Sequence, residues 1–251
     1  MTFTAIIPAR WESYRFPGKP LVDIQGVPMI VRTAQRTLLA NKVNHVVVAT
    51  DDRRIVDVCD TYNIASVMTS SVHLTGTDRV VEASRLLSVK NVVNVQGDEP
   101  LIEPETIDAV IQGVENDELA MVSNAACPLP KGDEDNPNVV KVVMTQQRRV
   151  MYISRFSIPY AWGKPVDRLR HMGLYAFCGD ALEKYASYKP GPLETQERIE
   201  MFRFLENGDP IALVQVPPSP PAVDMPEDLV RIQDFVRQKG GWERYFVDSN
   251  T

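Results

Sequence analysis

The fold turns on Thr4-Ala5-Ile6-Ile7-Pro8-Ala9-Arg10-Trp11-Glu12-Ser13-Tyr14-Arg15-Phe16-Pro17-Gly18-Lys19-Pro20-Leu21. A short apolar, β-branched run stopped by Pro8 reads as a buried strand, and the Pro- and Gly-containing stretch after it reads as a loop carrying Arg10, Arg15 and Lys19. In an open α/β sheet, ligands bind outside the carboxyl ends of the strands, and fixed Arg and Lys at such an edge suit a polyphosphate. A solvated basic loop is the competing reading of the same residues.

Working outward, helical periodicity over Met29 to Leu39 is followed by a β-branched strand over Val43 to Ala49, which makes one β-α-β unit. The alternation continues with a helix over Arg53 to Tyr62, a strand over Ala65 to Met68, a helix over Asp78 to Leu87 and a strand over Asn91 to Val95. A helix over Ile107 to Val114 and a strand over Ala120 to Ala126 follow. This pattern predicts an α/β, Rossmann-like fold, a mostly parallel sheet with helices on both faces. From Pro128 to Asn138 the composition turns to Pro, Gly, Asp, Glu and Asn, and the alternation stops. Strands over Val139 to Met144 and Val150 to Ser154 flank a polar turn, and a strand over His171 to Cys178 follows a second irregular loop. The chain thus reads as one domain over 1–251 with 128–178 as an inserted, β-rich subregion. Helices over Ala181 to Tyr188 and Glu197 to Leu205, a strand over Ile211 to Val216, the Pro-rich connector Pro217 to Pro221 and a helix over Pro226 to Arg237 complete it, with Asp224 in a capping-like position.

Composition narrows the function classes. The chain of 251 residues is 44% hydrophobic, enough for a substantial core, and its formal charge is −6. A general nucleic-acid surface is disfavoured by that charge, so phosphate binding is expected to be local and its ligand small and anionic. No segment has the length or apolarity of a membrane span and the start lacks a signal-peptide pattern, so a cytoplasmic protein without membrane partners is expected. Cys59, Cys127 and Cys178 are odd in number and widely spaced, which indicates neither a disulfide framework nor a thiolate zinc site. A Rossmann dehydrogenase is disfavoured because no G-x-G-x-x-G follows the first strand.

A second decisive stretch is Val95-Gln96-Gly97-Asp98-Glu99-Pro100, where an apolar strand ends in a carboxylate at the same predicted edge as the cationic loop. Near the C-terminus, Val223-Asp224-Met225-Pro226-Glu227-Asp228-Leu229 places another carboxylate before a helix. Alone, each aspartate is readable as a turn former or cap.

Taken together, these strings resemble the CMP-Kdo synthetases, the 3-deoxy-manno-octulosonate cytidylyltransferases. Pro8-Ala9-Arg10, Ser13, Arg15 and Pro17 to Leu21 match that family's nucleotide loop, and the two acidic strings match its QGDEP and VDTPEDL segments, whose aspartates bind magnesium. The resemblance implies a nucleotidyltransferase-type fold and transfer of CMP from CTP to the anomeric hydroxyl of a 3-deoxy-ulosonic acid, with release of pyrophosphate, in lipopolysaccharide or capsule sugar activation. It further implies Mg2+ at Asp98 and Asp224, phosphate contacts from Arg15 and Lys19, and a homodimer formed with help from the inserted segment. Magnesium takes hard oxygen ligands, typically one or two carboxylates with phosphates and water, which such a pair satisfies. Pro8, Ala9, Arg10, Ser13 and Gln96 fall on the nucleotide side, as do Thr75, Gly76, Thr77 and Arg79 of an H-x-SGTDR-like segment. That last segment reads equally as a helix start. On the acceptor side the resemblance places Arg155, His171, Tyr175 and Glu200.

Departures from the family pattern occur at Tyr14, Ser70, Cys178, Met201 and Met225. Met201 stands where a Gln is usual, and a thioether cannot pair a sugar hydroxyl as an amide does, so acceptor choice is expected to differ in detail from typical Kdo activation. The same CTP site serving another acidic acceptor, or a catalytically silent nucleotide-binding scaffold, are the competing readings.

Overall fold

A computed structural model describes residues 1–12, 16–219 and 222–245. In chain order the elements are β1 (Phe3–Ala9), β2 (Asp23–Ile24), β3 (Val27–Pro28), α1 (Met29–Thr37), β4 (Val43–Thr50), α2 (Arg53–Thr61), β5 (Ala65–Met68), α3 (Gly76–Leu87), β6 (Val92–Asn94) and α4 (Pro104–Asn116). They continue with β7 (Val122–Pro128), β8 (Lys141–Met144), β9 (Val150–Ser154), β10 (Leu169–Phe177), α5 (Ala181–Ser187), α6 (Pro192–Glu197), α7 (Phe202–Leu205), β11 (Ile211–Gln215) and α8 (Asp228–Gln238). The class is α/β with a mixed, mostly parallel sheet, as the alternation predicts. Two compact units are present, one of Thr2–Asp108 with Ser219–Thr251 and one of Ala109–Pro218 with Met1. The second extends well beyond the 128–178 segment marked by composition.

In the first unit β1 pairs in parallel with β4 on one side and β6 on the other, and β4 pairs in parallel with β5. β1 is almost wholly buried, which is why it is an unbroken apolar run and not an alternating one. Parallel register sets Pro8 opposite Ala49 and Ala9 opposite Thr50, so the loops after β1 and β4 leave the sheet at one level. The C-terminal segment joins this unit through a core in which Val223, Ile232, Val236 and Tyr245 pack with Ile24, Met29 and Leu101. In the second unit β11 and β7 are parallel, whereas β10 runs antiparallel to β7 and β8, and β8 and β9 form the hairpin expected from the sequence.

Four local features differ from the sequence reading. The helix expected over Glu197 to Leu205 is two short helices, α6 and α7: Pro192 starts the first early, and Arg198 at φ 54° takes the left-handed conformation that ends it. Asp224 is not a helix cap. Instead Asp228 Oδ2 accepts from the backbone N–H groups of Asp224 and Met225 at 2.9 and 2.8 Å, and α8 starts at Asp228. The β2–β3 hairpin was not apparent, because its strands are two residues each; its turn places Gln25 and Gly26 at φ 55° and 77°. Finally, α3 begins at Gly76, two residues earlier than the apolar periodicity suggests, since Thr75 caps it.

Cys59, Cys127 and Cys178 are free thiols, and burial pushes the Cys59 thiol up to about 11. Among the described residues no helix is long and apolar enough to cross a membrane.

Candidate active site

The loop after β1 is tied down at both ends. Gly18, at φ 70°, donates its N–H to the Trp11 carbonyl at 3.2 Å, and a Cβ there would stand 3.0 Å from the Trp11 ring. The opposite claim on that ring is Arg54, whose guanidinium carbon lies 3.4 Å from the ring centroid. Arg54 is itself held by Asp52, the cap of α2, through bonds of 2.8 and 2.6 Å. This stack carries no local sequence signal, because Trp11 follows β1 and Arg54 lies in the first turn of α2, and the β1–β4 register brings the two together. Gly18 then starts a single 3-10 turn with Pro20 buried beneath it, which presents Lys19.

Lys19 is the centre of the site. Its ammonium lies 2.5 Å from Asp98 Oδ2 and 3.9 Å from Asp224 Oδ1, and donates to the Val223 carbonyl at 3.0 Å. Gly97 lets Asp98 arrive there: a Cβ at that position would stand 3.0 Å from the Pro8 carbonyl oxygen and 3.2 Å from Ile30. Thr33 reinforces the turn by donating to the Gly97 carbonyl at 3.2 Å. On the other side the Val223 N–H donates to the Asp98 carbonyl at 2.9 Å, which delivers Asp224 beside Asp98 across more than a hundred residues of chain. The two carboxylates proposed from separate motifs therefore converge on one cation.

Other nucleotide-side residues fall as follows. Pro8 and Ala9 end β1, and Arg10 is exposed just after it. Gly76 opens α3 against Pro8 and Gln96, 3.5 and 3.6 Å from where its Cβ would be. Gln96 donates to Asn94 at 3.3 Å. Thr75 is the α3 cap, accepting from the Asp78 N–H at 3.1 Å and donating to its carboxylate at 2.7 Å, so the helix-start reading of this segment holds. Thr77 is buried within 3.5 Å of the Asn94 amide. Arg79 is buried too: its fork bonds Asp51 at 2.6 Å, Thr69 at 2.5 Å and the Ser70 carbonyl at 3.3 Å, welding the ends of β4 and β5 to α3. Ser70 also gives its N–H to Glu82, which pairs with His73. Ser13, Tyr14 and Arg15 lie outside the described residues.

The residues expected on the acceptor side lie in the second unit. The Arg155 fork donates to the carbonyls of Glu197 and Pro137 at 2.7 and 2.9 Å, while the Glu197 carboxylate accepts from the Ser154 hydroxyl and the Arg155 N–H. Lys141, fully buried, donates to the carbonyls of Asn136 and Arg155, and desolvation holds its pKa below the usual lysine range. The stretch Asn136 to Lys141 matches a segment of the resembled family, but the sequence reading gave Lys141 itself no role, since it occupies an ordinary strand position. Glu200 is partly buried in the turn between α6 and α7. The Tyr175 hydroxyl lies 3.1 Å from His171 Nε2, with ring centroids 5.7 Å apart. Desolvation, with Arg170 and Arg155 adding to it, pushes His171 down to about 3, so its imidazole is neutral at any working pH.

That depressed value makes a stability prediction. A histidine near 6.5 when unfolded and near 3 when folded stabilises fully above 6.5 and loses that contribution as pH falls through the interval. Between pH 7 and 5 the native chain should lose up to about 2 kcal/mol that His171→Asn does not lose, less to the extent that water reaches the ring. Parallel urea titrations of both proteins at the two pH values decide it.

Met201, which the sequence reading linked to acceptor choice, is a core side chain. It is 0% exposed, turned inward at the start of α7 among buried Phe202 and Phe204. Met201→Gln is therefore expected to cost about 1 to 3 kcal/mol of stability by burying an amide, and to leave acceptor KM unchanged. A shifted KM at unchanged Tm would restore the specificity role.

With this geometry in view, comparisons with known proteins are direct. The sequence profile of the cytidylyltransferase family matches residues 4–212. The 3-deoxy-manno-octulosonate cytidylyltransferase of Polynucleobacter necessarius subsp. necessarius (strain STIR1) is 42% identical over 243 residues, covering 93% of this chain and 95% of its own. The mitochondrial 3-deoxy-manno-octulosonate cytidylyltransferase of Arabidopsis thaliana is 40% identical over 240 residues, covering 93% and 83%. A CMP:2-keto-3-deoxy-manno-octonic acid synthetase solved with CTP superposes with a TM-score of 0.90 at 33% identity, covering 95% of this chain and all of that one. The chain belongs to the 3-deoxy-manno-octulosonate cytidylyltransferase family of nucleotidyltransferases.

Proposed function

We propose that the protein transfers CMP from CTP to the anomeric hydroxyl of a 3-deoxy-ulosonic acid, Kdo or a close relative, with release of pyrophosphate. The observation that carries this reading is the convergence of Asp98 and Asp224 on Lys19 at the end of β1, in a chain whose relatives are named for this reaction. In the transfer the sugar oxygen bonds to the α-phosphorus as the bond from that phosphorus to the bridging oxygen of pyrophosphate breaks, and the hydroxyl proton passes to water.

Asp98 and Asp224 fit a magnesium ion. Both are hard oxygen donors, and they meet at a place that already holds the Lys19 ammonium. A protein offering two carboxylates leaves the remaining positions to phosphate oxygens and water, which is how Mg2+ is commonly held. When bound, the ion stabilises charge building on the transferred and leaving phosphates. Lys19, beside both carboxylates, would reach a phosphate oxygen of a nucleotide bound there, and we assign Arg15 to the same task. Arg10 and the neighbouring Pro8 and Ala9 line the approach for the nucleotide. On the acceptor side, His171 and Tyr175 orient the sugar by hydrogen bonding; a neutral imidazole with its pKa near 3 is too weak a base to take the hydroxyl proton.

The test is pyrophosphate release from CTP with Mg2+ across a panel of acidic sugars, with the other nucleoside triphosphates as controls. Kdo-stimulated release specific to CTP is expected; no release with any acidic sugar would overturn the reading. We further propose that the enzyme works in the cytoplasm, in sugar activation for lipopolysaccharide or capsule, as a homodimer joined near the stretch from Pro128 to Arg170. That stretch exposes Phe156, Tyr160 and Trp162 by more than four-fifths each, an aromatic patch of the kind that marks an interface. Sedimentation at micromolar concentration should give twice the chain mass, and Trp162→Glu should shift it towards the monomer.

A further inference from the structure

We infer that Asn124, which no motif singles out, is a positioning residue for the acceptor side: its carboxamide holds β10 in the compressed course that brings His171 and Tyr175 together. The inference rests on the proposed acceptor role of those two residues and deepens it.

The pairing register shows the problem that Asn124 solves. His171 sits opposite Ala126 and Tyr175 opposite Asn124, so β10 takes four residue steps where β7 takes two. In a regular strand four steps span about 13 Å and two span about 7 Å, and side chains stand roughly perpendicular to the strand, so the shortened course favours the approach of the tyrosine hydroxyl to the histidine ring. Met172, Gly173 and Leu174 lie opposite the single residue Ala125, and the two extra residues are taken up in an irregularity of the ladder; such bulges are used next to active sites to re-aim side chains. Carbonyls inside an irregularity need donors from elsewhere. Asn124 supplies them: its amide nitrogen donates to the Met172 carbonyl at 2.8 Å and to the Leu174 carbonyl at 3.0 Å.

The choice of residue type follows from that geometry. Two carbonyls two residues apart are bridged by one short side chain only if it carries two N–H groups on one atom, which among small residues means Asn. Both partners accept, so the amide nitrogen must face them. The remaining oxygen, Oδ1, is buried and has no hydrogen-bond partner among the described residues, although Asn124 is 0% exposed. Packing alone would be better served there by an apolar residue such as Leu. The buried acceptor is tolerated where the two donors are needed.

The experiment uses the full chain and Asn124→Leu, which keeps the volume and removes both donors, with Asn124→Thr, which keeps one donor, as the milder variant. The chain has three histidines, so ring-proton NMR signals at pH 7.5 are resolvable, and His171→Gln identifies the relevant one. Expected in Asn124→Leu are a displaced His171 signal with those of His45 and His73 unmoved, and a KM for Kdo raised roughly tenfold or more with the KM for CTP within about twofold. Asn124→Thr should move both readouts in the same direction by less, and carries the test if Asn124→Leu does not fold. An unmoved His171 signal in a folded variant overturns the proposal. A displaced signal with the Kdo KM unchanged, in the Asn124 variants and in His171→Gln alike, overturns the acceptor assignment instead.

Discussion

Asp98→Asn and Asp224→Asn should each lower CTP-dependent pyrophosphate release roughly 100-fold or more while leaving the thermal transition within a few degrees of the parent. The asymmetry follows from the local electrostatics. Each change replaces a charged oxygen donor with a neutral amide of the same shape, and the loss of negative charge falls on the position proposed for the ion. Stability is far less exposed. The Lys19–Asp98 pair is partly solvent accessible, at 16% and 26%, and Asp224 is about half exposed, so water takes over much of the lost interaction. The two variants should also differ in detail. Asp98→Asn removes the close partner of Lys19, so its KM for CTP should respond to the freed ammonium, whereas Asp224→Asn leaves the 2.5 Å pair intact. Raised Mg2+ concentration should recover part of the activity of either variant. Near-normal turnover in both at ordinary Mg2+ would sink the metal assignment.

The largest stability effect is expected in the second unit, at Glu194 and Arg203. These side chains are 8% and 6% exposed; Arg203 Nε donates to Glu194 Oε2 at 2.9 Å, and its terminal nitrogen bonds the other carboxylate oxygen. The guanidinium also lies over the Tyr185 ring, 4.0 Å from its centroid. Glu206 completes the arrangement by accepting from the N–H groups of Leu193 and Glu194 at the start of α6. Glu194→Gln leaves a buried guanidinium without its counter-charge, which costs about 3 to 5 kcal/mol. For a chain of this length that lowers Tm by roughly 10 °C. The double change Glu194→Leu with Arg203→Met removes both charges and should be much less harmful than the sum of the single changes. Additive losses in thermal and urea denaturation would show that the pair is not acting as a unit.

Placing α6 and α7 as separate helices explains why this pair was not visible beforehand. Read as one helix over Glu197 to Leu205, the segment puts Glu194 outside the element and Arg203 on an ordinary helical face. Only the left-handed turn at Arg198 folds the two back on each other. The burial of Met201 was hidden for a related reason: a residue one place beyond Glu200 reads as its companion, but its side chain lies in the core.

By itself the sequence determined the α/β alternation, the parallel pairing class, the loop after β1 and the two acidic strings, because each has a local physical cause. Apolar period separates strand from helix within a few residues, proline and glycine end elements where they stand, and a charge at a strand end is marked by the strand before it. Tertiary structure alone decided which of those charges meet. Lys19 joins Asp98 and Asp224 only because Gly97 lets the turn after β6 lie on β1 and because Val223 is pinned to the Asp98 backbone. It also decided that Arg79 spends its donors inside the protein and that β10 is shortened against β7 so that His171 reaches Tyr175. Such partnerships depend on register and on packing between segments distant in the chain, and neither leaves a periodic trace in the residues themselves.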